Sequence, residues 1–148
     1  MRDNYQILAI PYRKMDNKIE YAILKRKDMD VWQGVAGGGE EGESVIESAK
    51  REINEEIGIS VKDNIIPLDT VSSIPVYHFK QKWAKDVFVI KEYAFGVEVL
   101  DEQIELSDEH TEFKWCTYET AMKLLNWDSN KTALWELNER VLQQLSGR

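Results

Sequence analysis

Glu52, Glu55 and Glu56 crowd one short stretch, Arg51-Glu52-Ile53-Asn54-Glu55-Glu56-Ile57-Gly58. On a helix, offsets of three and four place such side chains on one face. Like charges there repel by roughly 0.2–0.5 kcal/mol per pair. They also sit near the helix C-terminus, where the dipole favours cations. A divalent cation reverses that balance. Carboxylate clusters suit Mg2+, Mn2+ or Ca2+, and Mg2+ commonly combines one or two carboxylates with substrate phosphates. The chemistry on offer is metal-assisted work on a phosphate. A solvated acidic surface is the plain alternative.

The elements around the cluster argue against that alternative. Gly37-Gly38-Gly39 precedes it, and Glu40-Glu41-Gly42-Glu43 leads into a helix. Ser44 is placed to cap that helix, with Glu47 as its reciprocal partner. Gly58 is placed to end it in a left-handed turn. Val45, Ala49, Ile53 and Ile57 recur every four residues as a core-facing stripe, which leaves the glutamates on an adjacent face.

These residues resemble the Nudix hydrolase signature, G-x5-E-x7-R-E-U-x-E-E-x-G-U, where U is bulky and aliphatic. Gly37, Glu43, Arg51, Glu52, Ile53, Glu55, Glu56, Gly58 and Ile59 fill its positions without a mismatch. The resemblance implies a Mg2+-dependent (or Mn2+-dependent) pyrophosphohydrolase that cleaves a diphosphate linked to another group. It implies that Glu52, Glu55 and Glu56 hold the metal, with Arg51 orienting them as an ion-pair partner. Glu43, Gly37, Gly38 and Gly58 then shape the loop and helix, and backbone carbonyls near Ala36 to Gly38 are further candidate ligands. The general base in this family often lies outside the signature. Glu109 is the candidate here, as base and further metal ligand; Glu112 is its alternative. His110 reads as a structural hydrogen-bonding residue, and His78 is given no role.

A narrower resemblance is to the dihydroneopterin triphosphate pyrophosphohydrolase branch. It rests on Trp32-Gln33, Glu40-Glu41-Gly42-Glu43, Glu109-His110, Lys114-Trp115 and Ser129-Asn130. It implies substrate contacts from Arg26, Ala36, Tyr77 and Asn130. Asp128 is an extra residue between the tryptophan and Ser129, and Ala36 replaces the usual loop residue. Dihydroneopterin triphosphate or a nucleoside triphosphate is the expected substrate. ADP-ribose or diadenosine polyphosphate, a non-catalytic nucleotide-sensing module, and an isoprenoid diphosphate isomerase using Cys116 are the alternatives. Trp32, Trp83 and Trp127 read equally as base-stacking residues or as anchors of the core or loops.

The rest of the chain bounds these readings. Its 148 residues, 43% hydrophobic, suit one domain spanning 1–148. Strand-like runs at 5–12 and 20–25 suggest a hairpin through polar 14–18. Residues 65–76 read as short extended pieces broken by Pro67 and Pro75, with strands at 86–100 and 112–117. Helices follow at 118–125 and 129–145, the latter capped by Asp128 or Ser129. Interleaved strands and helices predict an α/β (α+β) fold with a mixed sheet. That agrees with the α/β/α sandwich implied by the resemblance.

Cys116 is the sole cysteine, the N-terminus lacks a signal-peptide plan, and no stretch reaches the length of a membrane span. A cytoplasmic protein with no membrane partner is the expectation. The net charge of −8 argues against nucleic-acid binding. A metal can still neutralise the phosphates of a small nucleotide-like diphosphate. Monomer and homodimer both remain open.

Overall fold

Consecutive buried side chains on the central strands point alternately to the two faces of the sheet, and that alternation sorts the protein into layers. The computed structural model describes residues 2–147. Strands β1 (Arg2–Met15) and β2 (Lys18–Arg26) form the expected hairpin. Asp16 and Asn17 make its two-residue turn, both at positive φ (45° and 68°), as the twist of a tight hairpin requires. Next come β3 (Trp32–Gln33), β4 (Val35–Glu40), α1 (Val45–Ile57), β5 (Ile65–Pro75), β6 (Val89–Glu98), β7 (His110–Cys116), α2 (Tyr118–Leu124) and α3 (Asp128–Leu145). The sheet runs β3-β2-β1-β6-β5, with β4 added on β1 and β7 on β2. It is mixed, because β1 pairs parallel with β6 and antiparallel with β2 and β4.

Strand β1 illustrates the sorting: Ile7 and Ala9 face α1, where Ala49, Ile53 and Ile57 pack on them. Leu8, Ile10 and Tyr12 face the other way, onto Ala121 of α2 and Ala133, Leu134, Leu137 and Val141 of α3. A period of two on the strands and of about four on the helices gives an apolar layer on each side of the sheet. The α/β/α sandwich is thereby observed. Among the described residues, no helix is long and apolar enough to cross a membrane.

Several boundaries differ from the sequence reading; the glycine stretch expected as a loop is strand β4, paired with β1. β5 is one strand from Ile65 to Pro75, not separate pieces. Pro67 is accommodated because β5 is an edge strand and its register with β6 shifts between Pro67 and Val71. β6 begins at Val89, so residues 79–88 form a connecting loop. α3 is capped by neither Asp128 nor Ser129: Trp127 is its N-cap and makes no side-chain cap bond. Its indole Nε1 instead donates to Gln33 Oε1 at 3.0 Å, which fixes the start of the helix.

Candidate active site

The glycine strand and α1 are bound together by their caps and one arginine. Ser44 Oγ accepts from the Glu47 N–H at 3.2 Å, and Glu47 Oε1 accepts from the Ser44 N–H at 2.7 Å, completing the capping box. Gly58 adopts φ 71° and donates its N–H to Asn54 O at 2.9 Å. Arg51 donates to Glu43 at 2.7 and 3.1 Å, to the Gly38 carbonyl at 2.8 Å, to Glu52 at 2.8 Å and to Glu55 at 3.3 Å. Glu43 also accepts from Ser48 Oγ at 2.7 Å and the Glu40 N–H at 3.0 Å. Hydrogen bonds from Arg51 and Ser48 pull the Glu43 carboxyl down to about 2.

Glu52 and Glu56 are the buried carboxylates of the helix, 8% and 5% exposed, whereas Glu55 is exposed. Burial pushes the Glu52 carboxyl up to about 7 against the pull of Arg51. Glu56 is also penalised by burial, yet neighbouring His110, Glu109 and Ser107 hold it below the usual range. His110 Nδ1 lies 3.0 Å from Glu56 Oε2 but lacks the alignment of a hydrogen bond. Glu109 stands on the turn before β7, and the adjacent Glu56 carboxylate raises its pKa. Two carboxylates so close favour one proton between them, carried by the more exposed Glu109.

All four glutamates, 52, 55, 56 and 109, line one cleft of about 1370 Å³. Its far wall is the N-terminus of α3. A Cβ at Gly37 would overlap the Glu52 carboxyl, so glycine there lets the strand lie directly on the acid. Oxygen donors on successive turns beside a bare backbone suit a hard divalent cation. Arg51 draws Glu52 and Glu55 toward itself, and among the described residues no three acidic, His or Cys side chains already form a cage.

A family model for the NUDIX domain matches residues 9–136. The chain belongs to the Nudix family. Dihydroneopterin triphosphate diphosphatase of Haemophilus influenzae is 30% identical over 137 residues, covering 90% of this chain and 86% of that protein. The Escherichia coli enzyme of the same name is 31% identical over 132 residues, covering 86% and 87%. In structure, a NUDIX hydrolase of Listeria monocytogenes superposes with a TM-score of 0.87 at 42% identity, covering 96% of this chain and 97% of that one. The protein is therefore a Nudix hydrolase, an enzyme of phosphoanhydride bonds.

The other residues singled out in the sequence of this Nudix hydrolase divide. Arg26 lines the cleft, but Asp28 holds its guanidinium through two hydrogen bonds, Nε to Oδ1 at 2.8 Å and Nη2 to Oδ2 at 2.5 Å. Ala36 lines the floor. Asn130 is 3% exposed and lines the cleft, with Oδ1 accepting the Gly34 N–H at 2.8 Å. Tyr77 is not brought to the cleft: it is 80% exposed and stacks on His78, which does line it. Glu112 is exposed and lies near Lys25 at 3.9 Å. Trp32 is a loop anchor between Lys25 and Lys114, while Trp127 reaches the cleft wall. Cys116 is buried under α2, with Sγ 3.6 Å from Tyr21 O.

Arg2, Gln6 and Glu92 line the same cleft and were not singled out in the sequence. The Arg2 guanidinium lies 5.3 Å from the Phe79 ring and 5.2 Å from that of Trp83. Its Nε and Nη2 are buried without a hydrogen-bond partner. No local spacing marks these residues, because strand pairing between distant segments brings them together.

Proposed function

We propose that this Nudix hydrolase cleaves a pterin or nucleoside triphosphate within its phosphate chain, with dihydroneopterin triphosphate as the foremost candidate. The observation that carries the reading is the shared cleft: Glu52 and Glu56 on one helix, with Glu109 beside Glu56 and the bare strand at Gly37. The substrate class is supported by the curated relatives, which carry that activity in their names and match along most of their length.

Glu52 and Glu56, helped by Glu55 and Glu109, are the residues that would hold Mg2+. The cation would supply phosphate neutralisation and a more acidic water. Arg51 keeps the carboxylates and the Gly38 carbonyl in register, and contacts no substrate. Glu109, once ionised, accepts the proton of the attacking water at its carboxylate. The opposite wall, where Phe79 and Trp127 stand beside Ser129 and Asn130, would hold the remainder of the substrate.

The test is a turnover screen of purified protein with Mg2+ or Mn2+, using dihydroneopterin triphosphate, GTP, ATP, ADP-ribose and diadenosine tetraphosphate. Metal-dependent release of a phosphate product, greatest with dihydroneopterin triphosphate, is expected. Binding of these compounds without turnover would overturn hydrolysis in favour of a sensing module. Turnover confined to ADP-ribose or diadenosine tetraphosphate would overturn the substrate class.

A further inference from the structure

We infer that Glu92 reads the heterocycle of the substrate and selects a 2-amino-4-oxopyrimidine edge, the edge shared by guanine and pterins. The inference deepens the proposed function and rests on that reading of the cleft. Glu92 is 4% exposed and lines the cleft. Its Oε2 accepts from Gln6 Nε2 at 2.6 Å; burial raises its pKa, and the bonds from Gln6 and the Ser129 hydroxyl oppose that rise without cancelling it. Among the described residues no Lys, Arg or His lies within ion-pair distance of it. A buried carboxylate without a cation is costly unless hydrogen-bond donors surround it.

The donors already present are too few. An ionised carboxylate offers about four lone-pair sites and can only accept. Gln6 and Ser129 leave room for two more donors from the cleft. A 2-amino-4-oxopyrimidine presents two adjacent donors, its ring N–H and its exocyclic amine. Adenine and cytosine present one amine beside a ring-nitrogen acceptor, which would face the carboxylate lone pair to lone pair. Inosine keeps the ring N–H but lacks the amine.

The sheet register sets the distance to the reacting end. Gln6 is the register partner of Glu92 on β6 and of Gly38 on β4. Glu92 thus lies two inter-strand spacings, about 10 Å, from Gly38. Gly37, next to it, lies against Glu52. A heterocycle on Glu92 with its phosphates over the glycine strand spans that interval.

The experiment compares kcat/KM for GTP, ITP and ATP with Mg2+ in the wild type and in Glu92→Gln. The wild type should prefer GTP to ITP by about ten- to a hundredfold, the scale of a hydrogen bond to a charged group, with ATP below both. In Glu92→Gln the GTP value should fall to that of ITP. Equal wild-type rates on GTP and ITP would overturn the inference even if the variant failed to fold, and so would a folded variant that kept the preference. Where the wild type turns over none of the three and leaves dihydroneopterin triphosphate intact as well, hydrolysis as proposed fails by itself. Calorimetric Kd values for α,β-methylene GTP and ITP then decide the role of Glu92: tighter guanine binding supports it, and equal binding refutes it.

Discussion

Arg51 grips Glu43 through two hydrogen bonds, Nε to Oε2 at 2.7 Å and Nη2 to Oε1 at 3.1 Å. The same guanidinium reaches the Gly38 carbonyl and Glu52, so one side chain joins the loop, the strand and the helix. Lysine keeps the charge but not the planar fork. Arg51→Lys should therefore lower stability by about 1–3 kcal/mol and lower kcat more than it raises KM. Thermal denaturation and steady-state kinetics measure both; an unchanged kcat would remove Arg51 from its positioning role.

Glu56→Gln keeps the shape of the side chain and removes its charge. Hydrolysis should fall by well over a hundredfold, beyond the 10–100-fold scale for outer partners of a metal site. Circular dichroism should show the fold retained. Full activity in this variant would sink the assignment of Glu56 as a metal ligand.

Gly37→Ala places a Cβ where the Glu52 carboxyl stands. The displaced acid should cost activity at least tenfold, with overpacking of about 1–3 kcal/mol. Metal titration followed by calorimetry should show weakened Mg2+ binding, and an unchanged titration would argue that Glu52 is not a ligand.

Glu52 gives the metal-free enzyme a distinctive pH response. Burial raises its folded pKa from an ordinary 4.5 to about 7. The folded state thus favours the protonated form: stability is full below about 4.5 and is lost as pH rises through about 7. Glu52→Gln mimics the protonated acid. In EDTA, the variant's unfolding free energy should gain on that of the wild type between pH 5 and pH 8, by no more than about 3 kcal/mol. Parallel pH profiles for the two proteins would refute this.

Glu136 slopes the other way. It accepts from the Asp69 N–H at 2.7 Å, the Thr70 N–H at 2.8 Å and Arg140 Nε at 2.8 Å, tying α3 to β5. Burial opposes its charge, but these bonds outweigh burial and lower its pKa. Its contribution is present above the ordinary carboxylate range and is lost as pH falls through the lowered folded pKa. Glu136→Gln should cost about 1–3 kcal/mol at pH 7, and the deficit should shrink as the pH approaches 3. Chemical denaturation at both pH values measures it.

Local signals were legible and distant ones were not. Ser44, Glu47 and Gly58 cap α1 as read, because capping is decided within a few residues. Arg51 pairs with Glu52 and Glu55, as the resemblance implied, and with Glu43 of the preceding loop. The α3 cap failed because Trp127 is fixed by Gln33, a partner far away in the chain. Tyr77 was placed by analogy, and the backbone around it turns the ring outward. Glu92 and Gln6 carry no motif; only the parallel pairing of β1 with β6 brings them together.

That pairing also dictates an order of events during synthesis. Of these elements β1 is made before the others, yet its parallel partner β6 follows only after β2, β3, β4, α1 and β5. Long-range parallel pairing is slow to form. Until residues 89–98 emerge, the nascent chain holds a hairpin and the glycine strand with one flank of β1 bare. A pause or truncation before Val89 would leave the acidic helix attached to an open sheet edge, the kind of surface on which chaperones and aggregation compete.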